Sequence, residues 1–166
     1  MKLMLEVYQT LAGEYREDSL LAMSALHHLA ELTCEEARYD KALELAKKCY
    51  QLRVANLGSA SYDTLRTLTL LGKLQGNMGQ QDEVLSKRRL VQTRMRRLFG
   101  PKHPETLEAQ LLLAMSFNHK KEYAQALRHA EKVYLTYRDF YGADYTRTLL
   151  TRHIYERIKK NSEEET

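Results

Sequence analysis

Six histidines, two cysteines and 22 acidic residues are the groups from which this chain could build a site. A zinc centre needs ligands converging on one helix face or closely spaced, as in H-E-x-x-H. His27 and His28 are adjacent, so on a helix they point about 100° apart and share no face. His119, His129 and His153 fall on different helices without an accompanying Asp/Glu pair at i+3 or i+4 that suggests a site, and His103 precedes Pro104 in a turn. Cys34 and Cys49 show no C-x-x-C spacing and no matching His pair, so they read as small buried helix residues of a reducing compartment. Gly58-Ser59-Ala60-Ser61-Tyr62 lacks the closing glycine of a nucleophile elbow, and no G-x-x-x-x-G-K-[ST] occurs. Glu35-Glu36 reads as a solvent-facing cap rather than an acid/base couple. No catalytic residue, metal ligand or cofactor is expected, and the chain reads as a non-enzyme.

What remains is a question of scaffold. With 43% hydrophobic residues, 7 Gly, 2 Pro and mixed charge over 166 residues, the composition excludes wholesale disorder. It also argues against an all-β sandwich or barrel, whose many tight turns need glycine and proline. Helix is expected almost throughout. Charges at Lys2 and Glu6 interrupt any secretory core, and no apolar run approaches ~18 residues, so a soluble, cytoplasmic chain without a membrane segment is expected. The net charge of +4 is too small to argue for nucleic acid by itself.

A repeat organises the chain. Gly58, Gly100 and Gly142 are 42 residues apart, and the same step superimposes Thr64-Leu65, Thr106-Leu107 and Thr148-Leu149. It also aligns Tyr39-Asp40-Lys41-Ala42-Leu43 with Tyr123-Ala124-Gln125-Ala126-Leu127, and Leu29-Ala30 with Leu71-Gly72 and Leu113-Ala114. Tyr8, Tyr50 and Tyr134 share one register and read as core. Each copy predicts two antiparallel helices. Gly100 suits a left-handed cap, Pro104 and Glu105 suit a first turn, and Ala114 (Ala30 and Gly72 elsewhere) lets the partner helix approach closely.

Gly100-Pro-Lys-His-Pro-Glu-Thr-Leu, Leu113-Ala114 and Tyr123-Ala-Gln-Ala-Leu together resemble the tetratricopeptide repeat in the long form found in kinesin light chains. The resemblance implies an all-α, tetratricopeptide-like α-solenoid. A single repeat domain is expected over 1–160. It has a half-unit at 1–13 and helix pairs within 19–56, 61–98 and 104–140, followed by a terminal helix at 144–160 and a frayed acidic tail at 161–166. Gln75, Gln81 and Val84 depart from the family pattern, so less regular packing is expected there.

Family geometry implies that the first helix of each pair lines a concave groove able to hold a peptide or helix of another protein. The inward positions are then His27, Glu31, Arg66, Lys73, Asn77, Glu108, Leu111, Met115, Asn118, His153 and Arg157. Apolar burial near Leu111 and Met115 is expected to anchor the partner, with charged positions fixing its register. The carboxylate clamp of chaperone-tail binders is not matched: its positions hold His27, Glu31, Leu70, Glu108 and Leu112, two of them acidic. Nor is the Asn pair of kinesin light chains, replaced here by His27-His28, Thr69-Leu70 and Leu111-Leu112.

One basic stretch stands out within 82–98. Lys87, Arg89, Arg94, Arg96 and Arg97 form a patch expected on the convex side, while Arg88 occupies a position that is Ala46 and Ala130 elsewhere. Acidic-protein or RNA binding through this helix, or a peptide-sensing regulatory role, are the rival readings. Nucleic acid is the weaker partner because stacking aromatics are lacking. End-on self-association through apolar edges of the terminal helices is a further expectation.

Overall fold

The computed structural model describes residues 2–165. Met1 and Thr166, placed above in the first half-unit and the tail, lie outside the described residues. Eight helices are described: α1 (Lys2–Tyr15), α2 (Leu20–Glu35), α3 (Tyr39–Leu57), α4 (Tyr62–Asn77), α5 (Gln81–Phe99), α6 (Pro104–His119), α7 (Tyr123–Tyr141) and α8 (Thr146–Glu164). No strand occurs among the described residues.

Two series of backbone reversals, each on the 42-residue step, explain why the helices stop where they do. Left-handed φ angles recur at Arg16, Gly58, Gly100 and Gly142, and again at Ala37, Gly79 and Lys121. In the second series the chain turns in a Schellman pattern. The N–H groups of Arg38, Gln80 and Glu122 donate to the carbonyls of Thr33, Gln75 and Phe117, which satisfies groups a helix end would otherwise leave bare. Helix starts follow the same step. Ser19, Ser61 and His103 each accept from a first-turn N–H at 3.2 Å, whereas Tyr145 at the fourth position makes no such bond.

The chain divides into two compact units, Met1–Glu83 and Val84–Thr166. That division falls just past Gln75 and Gln81, where the residues depart from the family pattern. Gln75 is nonetheless buried, and its amide donates to Glu83.

In the first unit α1 packs on α2, α2 on α3 and α3 on α4. Tyr8, Ala25, Leu26, Leu29 and Cys49 form a core, with Met4, Leu11 and Leu45 against it. In the second, α6 packs on α7 and α7 on α8 around Leu107, Leu113, Phe117, Val133, Ile154 and Ile158. Ala30, Ala42, Ala114 and Ala126 are fully buried, as close helix approach requires. Gly72 differs: a Cβ there would meet nothing within 4 Å, so packing does not demand glycine at that position.

The segment expected as a frayed tail is helical through Glu164. Asn161 donates to the Asn118 side chain at 3.2 Å, and Lys121 pairs with Glu165 at 2.8 Å, which ties the last turns to the α6–α7 link. The tyrosine register is less buried than expected. Tyr8 is buried, but Tyr50 and Tyr134 are only half-buried, and Tyr134 stacks with Tyr155 at 6.2 Å.

Candidate partner-binding faces

The first unit presents its candidate residues from α2 and α4. Glu31 sits between them: its Oε2 is 3.0 Å from His28 Nδ1 and its Oε1 4.0 Å from Arg66 Nη2. Glu31 and Arg66 are each about two-fifths exposed, so their contact is open to solvent. Lys73 and Asn77 are exposed on the same helix as Arg66, with the Asn77 amide nitrogen 3.9 Å from the Cys34 sulfur.

His27 does not line this face. It is 1% exposed, with Nδ1 3.4 Å from the Thr67 hydroxyl and Nε2 3.4 Å from Glu31 Oε1. Burial pushes its pKa down to about 4; Glu31 opposes that shift, while Arg53, Arg66 and His28 add to it. The imidazole is therefore neutral at pH 7.

Beneath it lies Arg53, a fully buried guanidinium that sequence reasoning did not anticipate. Nη1 donates to the Asp63 carbonyl at 2.7 Å and to Thr67 at 2.8 Å. The same register holds Met95 and Tyr137, so a hydrophobic residue is what the repeat implied.

In the second unit Glu108, Met115 and Asn118 of α6 are half-buried, while His153 and Arg157 of α8 are exposed. Glu108 already holds Arg147 at 3.0 Å, and the Asn118 oxygen accepts from Asn161. Leu111 is 3% exposed and belongs to the core, and Met115 packs against that core. The expected apolar anchor at Leu111 is thus closed to a partner, because its leucine faces the inside of its own unit. Nine of the eleven positions expected to line a groove are not buried, four in the first unit and five in the second.

The basic helix α5 is more engaged than a plain solvated face. Arg88 turns inward and donates to the Leu112 carbonyl and the Ser116 hydroxyl, both at 2.8 Å. Its burial lowers its pKa, yet the two acceptors replace the lost water. The Arg89 guanidinium lies 5.2 Å from the centre of the Phe117 ring. Lys87 and Arg94 are half-buried, and Arg96 and Arg97 are exposed.

Among the described residues no three His, Cys, Asp or Glu side chains gather as metal ligands would. Cys34 and Cys49 are free and buried. No described helix is long and apolar enough to cross a membrane.

A family model described as tetratricopeptide repeat matches residues 21–86. No curated protein matches the chain. Among solved structures, the nearly identical TPR-like repeats assigned to a Podosopora anserina kinesin light chain are similar at TM-score 0.83 and 18% identity, over 98% of this chain and 77% of that one. A single-residue variant of those repeats is similar at TM-score 0.84 and 18% identity, over the same shares. BtubC (BKLC) from P. vanneervenii is similar at TM-score 0.85 and 15% identity, over 97% of this chain and 64% of that one. At such identities the likeness speaks for the fold, which is the all-α, tetratricopeptide-like helical solenoid class. The family match covers residues 21–86, and the chain has the fold of kinesin light chain-like tetratricopeptide repeats.

Proposed function

We propose that the chain is a non-enzymatic scaffold that captures a segment of another protein on its first-type helices. Tetratricopeptide repeats serve in general as protein-interaction scaffolds, and the fold carries extended surfaces rather than enclosed pockets. The observation that carries the reading is the Glu31–Arg66 pair. Two opposite charges from α2 and α4 stand 4.0 Å apart, both partly exposed, with Lys73 and Asn77 exposed on α4. Such a row offers a peptide both signs of charge and an amide, which fixes register more than it supplies raw affinity. In the second unit the equivalent set is Glu108, Met115, Asn118, His153 and Arg157, which adds a flexible thioether to polar neighbours.

The test is affinity capture from the source cells with mass spectrometry, comparing the unaltered chain with Arg66→Glu plus Lys73→Glu. Recovery of specific partners should fall about tenfold while helicity and melting stay unchanged. Undiminished recovery would place the binding surface elsewhere.

A further inference from the structure

The second unit contains a cleft of about 210 Å³ lined by Pro104, Glu105 and Glu108 of α6, Tyr137 of α7, and Tyr145 and Arg147 at the start of α8. Aromatic rings crowd one part of it. The centroid of Tyr137 is 6.3 Å from that of Tyr145 and 5.6 Å from that of Tyr141, and Tyr141 stacks on Tyr145 at 5.2 Å. Tyr137 is buried and anchors the group, while Tyr141 and Tyr145 are 45% and 44% exposed. The lining also carries two carboxylates against one guanidinium, and that guanidinium is bound to Glu108 at 3.0 Å.

We propose that this cleft receives one cationic side chain, a lysine or an arginine, from a bound protein segment. Ring faces attract cations through their quadrupole, and the uncompensated carboxylate adds a direct charge. Size narrows the ligand: small-molecule sites begin near ~300 Å³, so this cleft suits the end of a side chain better than a whole cofactor. The protein makes the same contact with its own residues nearby. Lys102 Nζ lies 4.3 Å from the centre of Phe140, and the Arg138 guanidinium lies 5.8 Å from that of Tyr134.

Arg147 acts as a partial occupant, holding Glu108 until a ligand's charge competes for it.

The inference rests on the protein-partner reading above but is tested apart from it, with short probes on the full chain. Tyrosine ring resonances, labelled with ¹³C, are followed by NMR during titration with the capped tripeptides Gly-Lys-Gly, Gly-Arg-Gly and Gly-norleucine-Gly, and with tetramethylammonium. A saturable shift at Tyr145 is expected with the lysine or arginine peptide and not with norleucine. Glu105→Gln plus Glu108→Gln should weaken binding about tenfold, and Arg147→Ala should tighten it about threefold. A merely structural Arg147 would not yield tighter binding. The proposal is overturned by no saturable shift, by equal binding of norleucine, by weaker binding in Arg147→Ala, or by tetramethylammonium binding more tightly than both cationic peptides. Because these variants leave α2 and α4 untouched, their failure would leave the capture experiment standing, and the reverse holds too.

Discussion

Arg53 on α3 donates from Nη1 to the Thr67 hydroxyl on α4 at 2.8 Å, so a buried cation joins one repeat to the next. Thr67 passes the contact on, since its hydroxyl lies 3.4 Å from His27 Nδ1 and 3.8 Å from the Cys49 sulfur. Nη1 also reaches the Asp63 carbonyl, but Nε finds no acceptor. Burying a guanidinium with incomplete partners gains little over an apolar side chain of similar length. Truncating it, by contrast, opens a void, while the Asp63 carbonyl keeps the Thr67 hydroxyl as a donor at 3.1 Å. Arg53→Ala should therefore cost about 2–4 kcal/mol in urea unfolding, whereas Arg53→Met, the residue at the equivalent Met95, should change stability by less than about 1 kcal/mol. Equal losses in the two variants would mean that the charge itself holds the repeats together.

His27 makes stability depend on pH in a defined window. Its pKa falls from 6.5 to about 4 on folding, chiefly through burial, so the unfolded chain binds the extra proton between those values. The unfolded state then gains as pH drops. Stability from this group is complete above pH 6.5, declines as pH falls toward 4, and declines no further below it; the full loss is roughly 3 kcal/mol. The groups around it are Glu31, His28, Arg53 and Arg66. His27→Leu, which copies the equivalent Leu111, should flatten the stability curve between pH 6.5 and 4 relative to the unaltered chain. Parallel curves would assign the slope to other groups.

Much of this architecture could be read from residue spacing because each repeat uses the same few devices. Gly58, Gly100 and Gly142 mark one series of turns, Pro104 opens α6 at the expected position, and the alanines at helix crossings are buried as the pattern required. The site was harder to read. Family geometry assigns faces by position alone, but burial at a helix edge depends on what neighbouring helices contribute. His27 is covered beside Thr67 and Arg53, and Leu111 joins the core, although both occupy nominal groove positions. Arg53 was hidden for the opposite reason. Nothing in a lone arginine within an amphipathic helix says that it will point inward, and only its register with Met95 and Tyr137 could have raised the question.

A left-handed turn position that lacks glycine offers a stabilising change. Ala37 has a φ of 58° and is exposed, a conformation that crowds a Cβ against its own backbone. Gly79 takes the same place in the next repeat with a φ of 80°. Ala37→Gly should raise stability by about 0.5–1 kcal/mol, the relief of strain outweighing the added freedom of the unfolded chain. Gly100→Ala is the converse. Its Cβ would meet nothing within 4 Å, so the expected loss of about 1 kcal/mol is conformational alone. Chemical denaturation of both variants measures the pair, and a loss in Ala37→Gly would show that the turn tolerates alanine without strain.

The two thiols report on the first unit without any substitution. Cys49 is fully buried between helices: its sulfur donates to the Met23 carbonyl at 3.3 Å, and burial raises its pKa. Cys34 is 4% exposed beneath Asn77. A thiolate is the reactive form, so a buried thiol with a raised pKa should resist a disulfide reagent. Neither cysteine should react in the native protein at pH 7 on the timescale of minutes, and both should react at once in denaturing urea. Because Cys49 is packed between α2 and α4, its labelling rate under native conditions measures opening of that contact. Arg53→Ala should accelerate it by the factor that its stability loss implies, about thirtyfold or more for 2 kcal/mol if opening and global unfolding coincide. Labelling that stays slow in a destabilised variant would show that α2, α3 and α4 hold together while another part of the chain opens first.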